Sequence, residues 1–100
     1  MDMELTKDGF LQNLDDWNKE VAIYLAKDLE LTDIHWQIID IARYFYQEYK
    51  TTPAVRPLVK LLKEKHGSQF NSATINKAFN SHAIREICRI AGLPKPHRCT

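Results

Sequence analysis

One hundred residues make a single domain, 1–100, with one hydrophobic core and no room for a second. An apolar share of 44% with three glycines and four prolines suits an ordered globule; no stretch has the length of a membrane span or the layout of a secretory leader, so the expected location is the cytoplasm. The net charge of +1 hides an imbalance: residues 1–55 carry 11 acids against five Lys/Arg, whereas residues 56–100 carry two against nine.

The hydrophobic spacing is helical along the chain and predicts a mainly α fold of about five helices, with no repeat, linker or low-complexity tract. Asp15 or Asp16 is placed to cap a first helix reaching about Asp28, with Trp17, Val21, Tyr24 and Leu25 on one face. Thr32 is placed to cap a helix reaching about Tyr49 that turns Ile34, Ile38, Ile41, Phe45 and Tyr49 inward. Thr52 and Pro53 read as the N-cap and first residue of the next helix, which buries Val55, Leu58, Val59 and Leu62 before Gly67. Pro57 is expected to break or kink its first turns, since proline lacks an N–H and its ring crowds the turn before it. Ser72 is placed to cap a short helix with Ile75 and Phe79. Ser81 is placed to cap the last, with Ile84, Ile87, Cys88 and Ala91 at helical spacing. Trp17 and Trp36 read as core residues rather than a platform for stacking bases. His35 reads as a structural contact, because no nucleophile or paired carboxylate lies near it in sequence.

The C-terminal run carries the chemistry. Gly92 is a natural helix stop, and Pro94 and Pro96 then hold Leu93 and Lys95 extended. An extended arm from Gly92 spans up to roughly 25 Å by Cys99, the next-to-last residue. A chain end has little to pack against, so Cys99 reads as a working thiol. Lys95, Arg98 and a protonated His97 favour its thiolate, and the terminal carboxylate opposes it. The arm is long enough to project Cys99 into a partner or to return it toward Cys88. For Cys88 three bland readings stand beside a redox role. It is a small core hydrophobe, one half of a structural disulfide worth about 3 kcal/mol, or a zinc ligand with His97, Cys99 and His82. The absence of paired Cys-x-x-Cys or His-x-x-x-His ligands argues against the metal, and a reducing compartment against a permanent bridge. No metal and no cofactor is expected.

Lysines and arginines crowd the same half of the chain. They form either a face that steers an acidic partner, a small oxyanion or a nucleic-acid backbone, or solvated helix faces offset by the acidic half. Residues 72–79, a short turn and residues 81–91 also read as a helix-turn-helix. The alternative function is therefore a nucleic-acid-binding regulator, thiol-responsive or not, with His82, Arg85 and Arg89 as its base-reading side chains.

Five segments stand in a telling order: Asp8-Gly9-Phe10-Leu11; Trp17; Leu31-Thr32 followed by His35-Trp36; Pro53-Ala54-Val55-Arg56; and the run from Cys88 through Gly92-Leu93-Pro94-Lys95-Pro96 to Cys99. Together they resemble the DsrC/TusE family of sulfur-carrier proteins over nearly the whole length. The resemblance implies a small orthogonal helical bundle with an extended, mobile C-terminal arm over residues 92–100; family members open with a fuller β-hairpin, and the short Met3-Glu4-Leu5-Thr6 stretch before Asp8-Gly9 leaves a vestigial one here. It implies that Cys99 carries sulfane sulfur as a persulfide. The cargo then serves tRNA wobble-uridine 2-thiolation, as in TusE, or dissimilatory sulfite reductase, as in DsrC. Cys88 matches the second cysteine of DsrC, a resolving or sulfur-sharing thiol. Lys95, Arg98, Arg89, Arg85 and Arg56 are the candidate binding residues, Arg56 matching a recurrent family arginine. The implied partners are an upstream persulfide donor and a downstream acceptor or sulfite reductase. Direct tRNA or DNA contact stays open, and no membrane insertion is expected. Such a chain is a sulfurtransferase component rather than an autonomous enzyme.

Overall fold

In the computed structural model, which describes residues 4–27, 29–79 and 82–96, the longest helix is α2, Asp33–Tyr49. It follows α1 (Lys19–Ala26) and precedes α3 (Val55–His66), α4 (Ser72–Phe79) and α5 (Ala83–Ile90). The fold is the mainly α bundle that the spacing predicts. Helix α2 packs against α3, α4 and α5, and α1 packs against α5. No helix among the described residues is long and apolar enough to cross a membrane.

Thr32 precedes α2 as expected, and His35 ties it to the rest of the bundle. The Thr32 N–H donates to His35 Nδ1 at 3.1 Å, so the ring proton is assigned to Nε2, which donates to the Ala78 carbonyl at 2.8 Å. The ring also meets Phe79 edge-on at 4.9 Å. His35 thereby joins the start of α2 to the end of α4, the structural role read from sequence. The buried face of α2 runs through His35, Ile38, Ile39 and Ala42, with Ile41 beside it. Ile34 and Tyr49 are exposed instead of inward. Three neighbouring helices, rather than one, set which stripe of this apolar-rich helix is covered.

Several starts differ from the sequence expectation, each for a local reason. Residues Leu14–Asp16 form a 3₁₀ turn closed by the Asn13 side chain, and the chain extends again at Trp17. Asn18, not Asp15 or Asp16, then caps α1 by accepting the Val21 N–H at 2.9 Å. Tyr24 lies 62% exposed, while Val21, Ala22, Leu25 and Ala26 form the buried face. Helix α1 ends at Ala26; Asp28 is outside the described residues. Helix α3 starts at Val55, after Ala54 rather than Thr52, and its first bond runs from the Leu58 N–H to the Ala54 carbonyl at 3.2 Å. Pro57 is thus the third helical residue, where an N–H has no partner inside the helix to lose, and the helix runs unbroken to His66. Asn71, not Ser72, caps α4, its Oδ1 accepting the Thr74 N–H at 2.9 Å. Ser81 lies outside the described residues, and His82 precedes α5.

Among the described residues the N-terminal hairpin is reduced to one antiparallel bridge, joining Leu5 and Leu11 around Gly9, whose φ of 86° only glycine adopts without strain. The turn places Phe10 in the core.

Candidate functional site

Helix α5 is strongly amphipathic, and Cys88 belongs to its inner face with Ala83, Ile84, Ile87 and Ile90. The Cys88 side chain is wholly buried, and burial pushes its thiol up to about 12 from 9.0, because a thiolate there would lose its hydration. At neutral pH in this state Cys88 is a packed thiol, not a nucleophile.

The helix ends on a Schellman motif in which Gly92 holds the left-handed position at φ 72°. The Gly92 N–H donates to the Arg89 carbonyl at 3.4 Å and the Leu93 N–H to the Cys88 carbonyl at 2.9 Å. The next two carbonyls find side chains from far along the chain. Trp17 Nε1 donates to the Ile90 carbonyl at 2.8 Å, and Arg43 Nη1 donates to the Ala91 carbonyl at 2.6 Å. The Arg43 guanidinium also lies over the Trp17 ring, 4.1 Å from its centroid. Burial lowers the Arg43 pKa and Asp40 opposes that shift; an arginine there still carries its charge, which complements the negative end of the helix.

Beyond the helix the chain leaves regular structure but stays on the body. Leu93 is 3% exposed, and Pro96 is buried. Lys95 Nζ sits 3.3 Å from Asp8 Oδ2 on the hairpin, an exposed pair contributing about 0–1 kcal/mol. Pro94 and Lys95 line a cleft with Thr6, Leu11 and Gln12.

Of the sequence candidates, Arg85 and Arg89 meet in a second open cleft of about 790 Å³ with Asp8, Tyr24, Lys27 and Glu86. Arg89 is already committed there, its Nε 2.6 Å from Glu86 Oε2 and its Nη1 donating to the Leu25 carbonyl at the end of α1. Arg85 lies over Phe10, 5.6 Å from the ring centroid. Arg56 is exposed on α3 and lines neither cleft. His97, Arg98 and Cys99 lie outside the described residues. Among the described residues no three His, Cys, Asp or Glu side chains cluster as metal ligands. The helix-turn-helix reading finds little support in α5, since five of its residues are buried and Arg89 is bound within the fold. Sequence reasoning missed Arg43 as a site residue and took Trp17 for packing alone. The available signal was chemical: an indole N–H just before α1 and a guanidinium on half-apolar α2 both need acceptors.

The fold and this site define a class: a helical scaffold whose last helix is capped by the body and runs on into a cysteine-bearing segment. The family model described as DsrC like protein matches residues 1–100. The chain is 41% identical to the sulfurtransferase TusE homolog of Haemophilus influenzae, over 99% of this chain and 94% of that protein. It superposes on the oxidized gamma-subunit of the dissimilatory sulfite reductase (DsrC) from Archaeoglobus fulgidus with a TM-score of 0.86, at 42% identity over 98% of this chain and 92% of that one. For DsrC of Allochromatium vinosum the TM-score is 0.87, at 42% identity over 98% and 90% of the two chains. The chain belongs to the DsrC/TusE family of sulfur carriers.

Proposed function

We propose that this protein is a sulfur-relay component that carries sulfane sulfur on Cys99 and hands it to a protein partner. The observation that carries the assignment to Cys99 is the state of the other cysteine: Cys88 is wholly buried, with its thiol held far above neutral pH. In the reaction, the Cys99 thiolate attacks the outer sulfur of a donor persulfide. A new S–S bond forms at Cys99, the donor's S–S bond breaks, and the donor leaves as a thiolate. The acceptor's thiolate repeats the exchange and leaves Cys99 free. When the end of α5 opens before an acceptor has taken the cargo, Cys88 releases it instead: its thiolate attacks the inner sulfur of the loaded Cys99, closes a Cys88–Cys99 disulfide and expels hydrosulfide. Lys95 and Arg98 help hold the anionic cargo, and Arg85 lines a cleft suited to an acidic segment of a partner. The setting is the cytoplasm, where thiols stay reduced. The relatives bear names from two settings, sulfurtransferase TusE and sulfite reductase subunits, at nearly equal identity; the acceptor lies in tRNA thiolation or in dissimilatory sulfur metabolism.

Intact-mass spectrometry after incubation with inorganic polysulfide tests the reading. Wild type and Cys88→Ser gain about 32 Da, one sulfur atom, and Cys99→Ser gains none. A Cys99→Ser protein that loads as fast as wild type overturns it.

A further inference from the structure

The end of α5 is held more firmly than a helix stop requires. The Schellman motif at Gly92 already satisfies the carbonyls of Cys88 and Arg89. Most helices leave the remaining terminal carbonyls to water. Here Trp17 and Arg43, 73 and 48 residues away from their acceptors, take the carbonyls of Ile90 and Ala91, and the guanidinium lies over the indole, 4.1 Å from its centroid. Gly92 itself presses on that indole so closely that a β-carbon would stand 2.5 Å from Trp17 Cδ1. Leu93 is then buried beside this clamp, and Pro96 is buried three residues further on.

We infer that Trp17 and Arg43 are positioning residues for sulfur transfer: they fix the point from which Cys99 is carried, an inference that rests on the carrier role proposed for that cysteine. The consequence is geometric. Three residues from Pro96 to Cys99 span no more than roughly 10 Å, against roughly 25 Å for the seven residues from Gly92. With the clamp closed, Cys99 is delivered only within a small sphere around Pro96, and a partner must bring its own reacting sulfur to that place. With the clamp open, the sphere widens toward the reach from Gly92, and the end of α5 that covers Cys88 loosens with it. The clamp thus favours transfer to a docked partner over premature closure onto Cys88.

The test compares wild type with Trp17→Phe, which keeps a ring but loses the donor to Ile90, and with Arg43→Ala and Arg43→Lys. Steady-state ¹⁵N heteronuclear NOEs of Leu93 and Lys95 are read against those of α5 in the same molecule. They are expected to fall to less than half the α5 values in Trp17→Phe and Arg43→Ala, while residues 83–87 keep theirs. Arg43→Lys, which keeps a cation for the Ala91 carbonyl but loses the guanidinium over Trp17, is expected to fall between. Oxidation by diamide, which takes up the two thiol hydrogens, is expected to close the Cys88–Cys99 bond about tenfold faster in the two disruptive variants. Rigid Leu93 and Lys95 in both variants overturn the inference, as does loosening spread evenly over α5, the mark of a merely structural role. If Arg43→Ala does not fold, Trp17→Phe decides alone. Polysulfide loading of the same proteins separates the two layers: wild type that fails to load refutes the carrier role and leaves the NOE result standing.

Discussion

Gly92→Ala is expected to lower the stability of the fold by about 2–5 kcal/mol, a large share of the 5–15 kcal/mol typical of a domain. Two costs add. Its φ of 72° lies in the left-handed region, which costs an L-residue about 1–2 kcal/mol. The new β-carbon would also stand 2.5, 2.8 and 3.0 Å from Trp17 Cδ1, Cγ and Cβ. Trp17 is not a flexible side-chain tip that can swing aside, because its indole is bonded to the Ile90 carbonyl and covered by Arg43. Overpacking of this kind costs about 1–3 kcal/mol. Urea denaturation measures the total, and a double-mutant cycle with Trp17→Leu separates the parts: removing the ring should return the steric share and leave the backbone share. A loss below about 0.5 kcal/mol for Gly92→Ala would mean that the end of α5 is not built as described.

The second large effect concerns Cys88. In a Cys99→Ser protein at pH 8, iodoacetamide is expected to label Cys88 at least about a thousandfold more slowly in the folded state than in urea. Raising the thiol from 9.0 to about 12 removes that factor of thiolate alone, before steric shielding is counted. The same shift makes stability depend on pH. The unfolded thiol ionises near 9.0 while the folded one stays neutral until about 12. The stabilisation is therefore complete below pH 9 and is lost as pH rises toward 12, at about 1.4 kcal/mol per unit for this group. Cys88→Ala should lack that slope. Labelling of Cys88 at the rate of a free thiol would contradict both expectations. The result bears on mechanism, since a resolving step through Cys88 then requires the last turn of α5 to open.

Much of this was legible from residues, and what was not has physical causes. Thr32 and the 3.6-residue period located α2 because its cap and its apolar stripe agree. The same stripe was assigned to Ile34 and Tyr49 because the sequence does not say that α3, α4 and α5 all lean on that helix. Two prolines, Pro53 and Pro57, competed for the first turn of α3. Local sequence favoured the earlier, whereas the helix takes the later, where the missing N–H costs nothing. At the site, Gly92 and the cysteines could be read from spacing. The Trp17–Arg43 clamp could not, because each of its bonds joins elements far apart in the chain, and nothing local marks which carbonyl an indole or guanidinium will meet.

The central claim, that Cys99 bears the sulfur, is tested most directly by locating it. Wild type would be loaded with isotopically heavy polysulfide, alkylated and cleaved after Arg89, which puts the two cysteines on different peptides. The expected result is heavy sulfur on the Cys99 peptide, with Cys88 recovered as a plain thiol. Heavy sulfur on the Cys88 peptide with Cys99 unmodified would contradict the account.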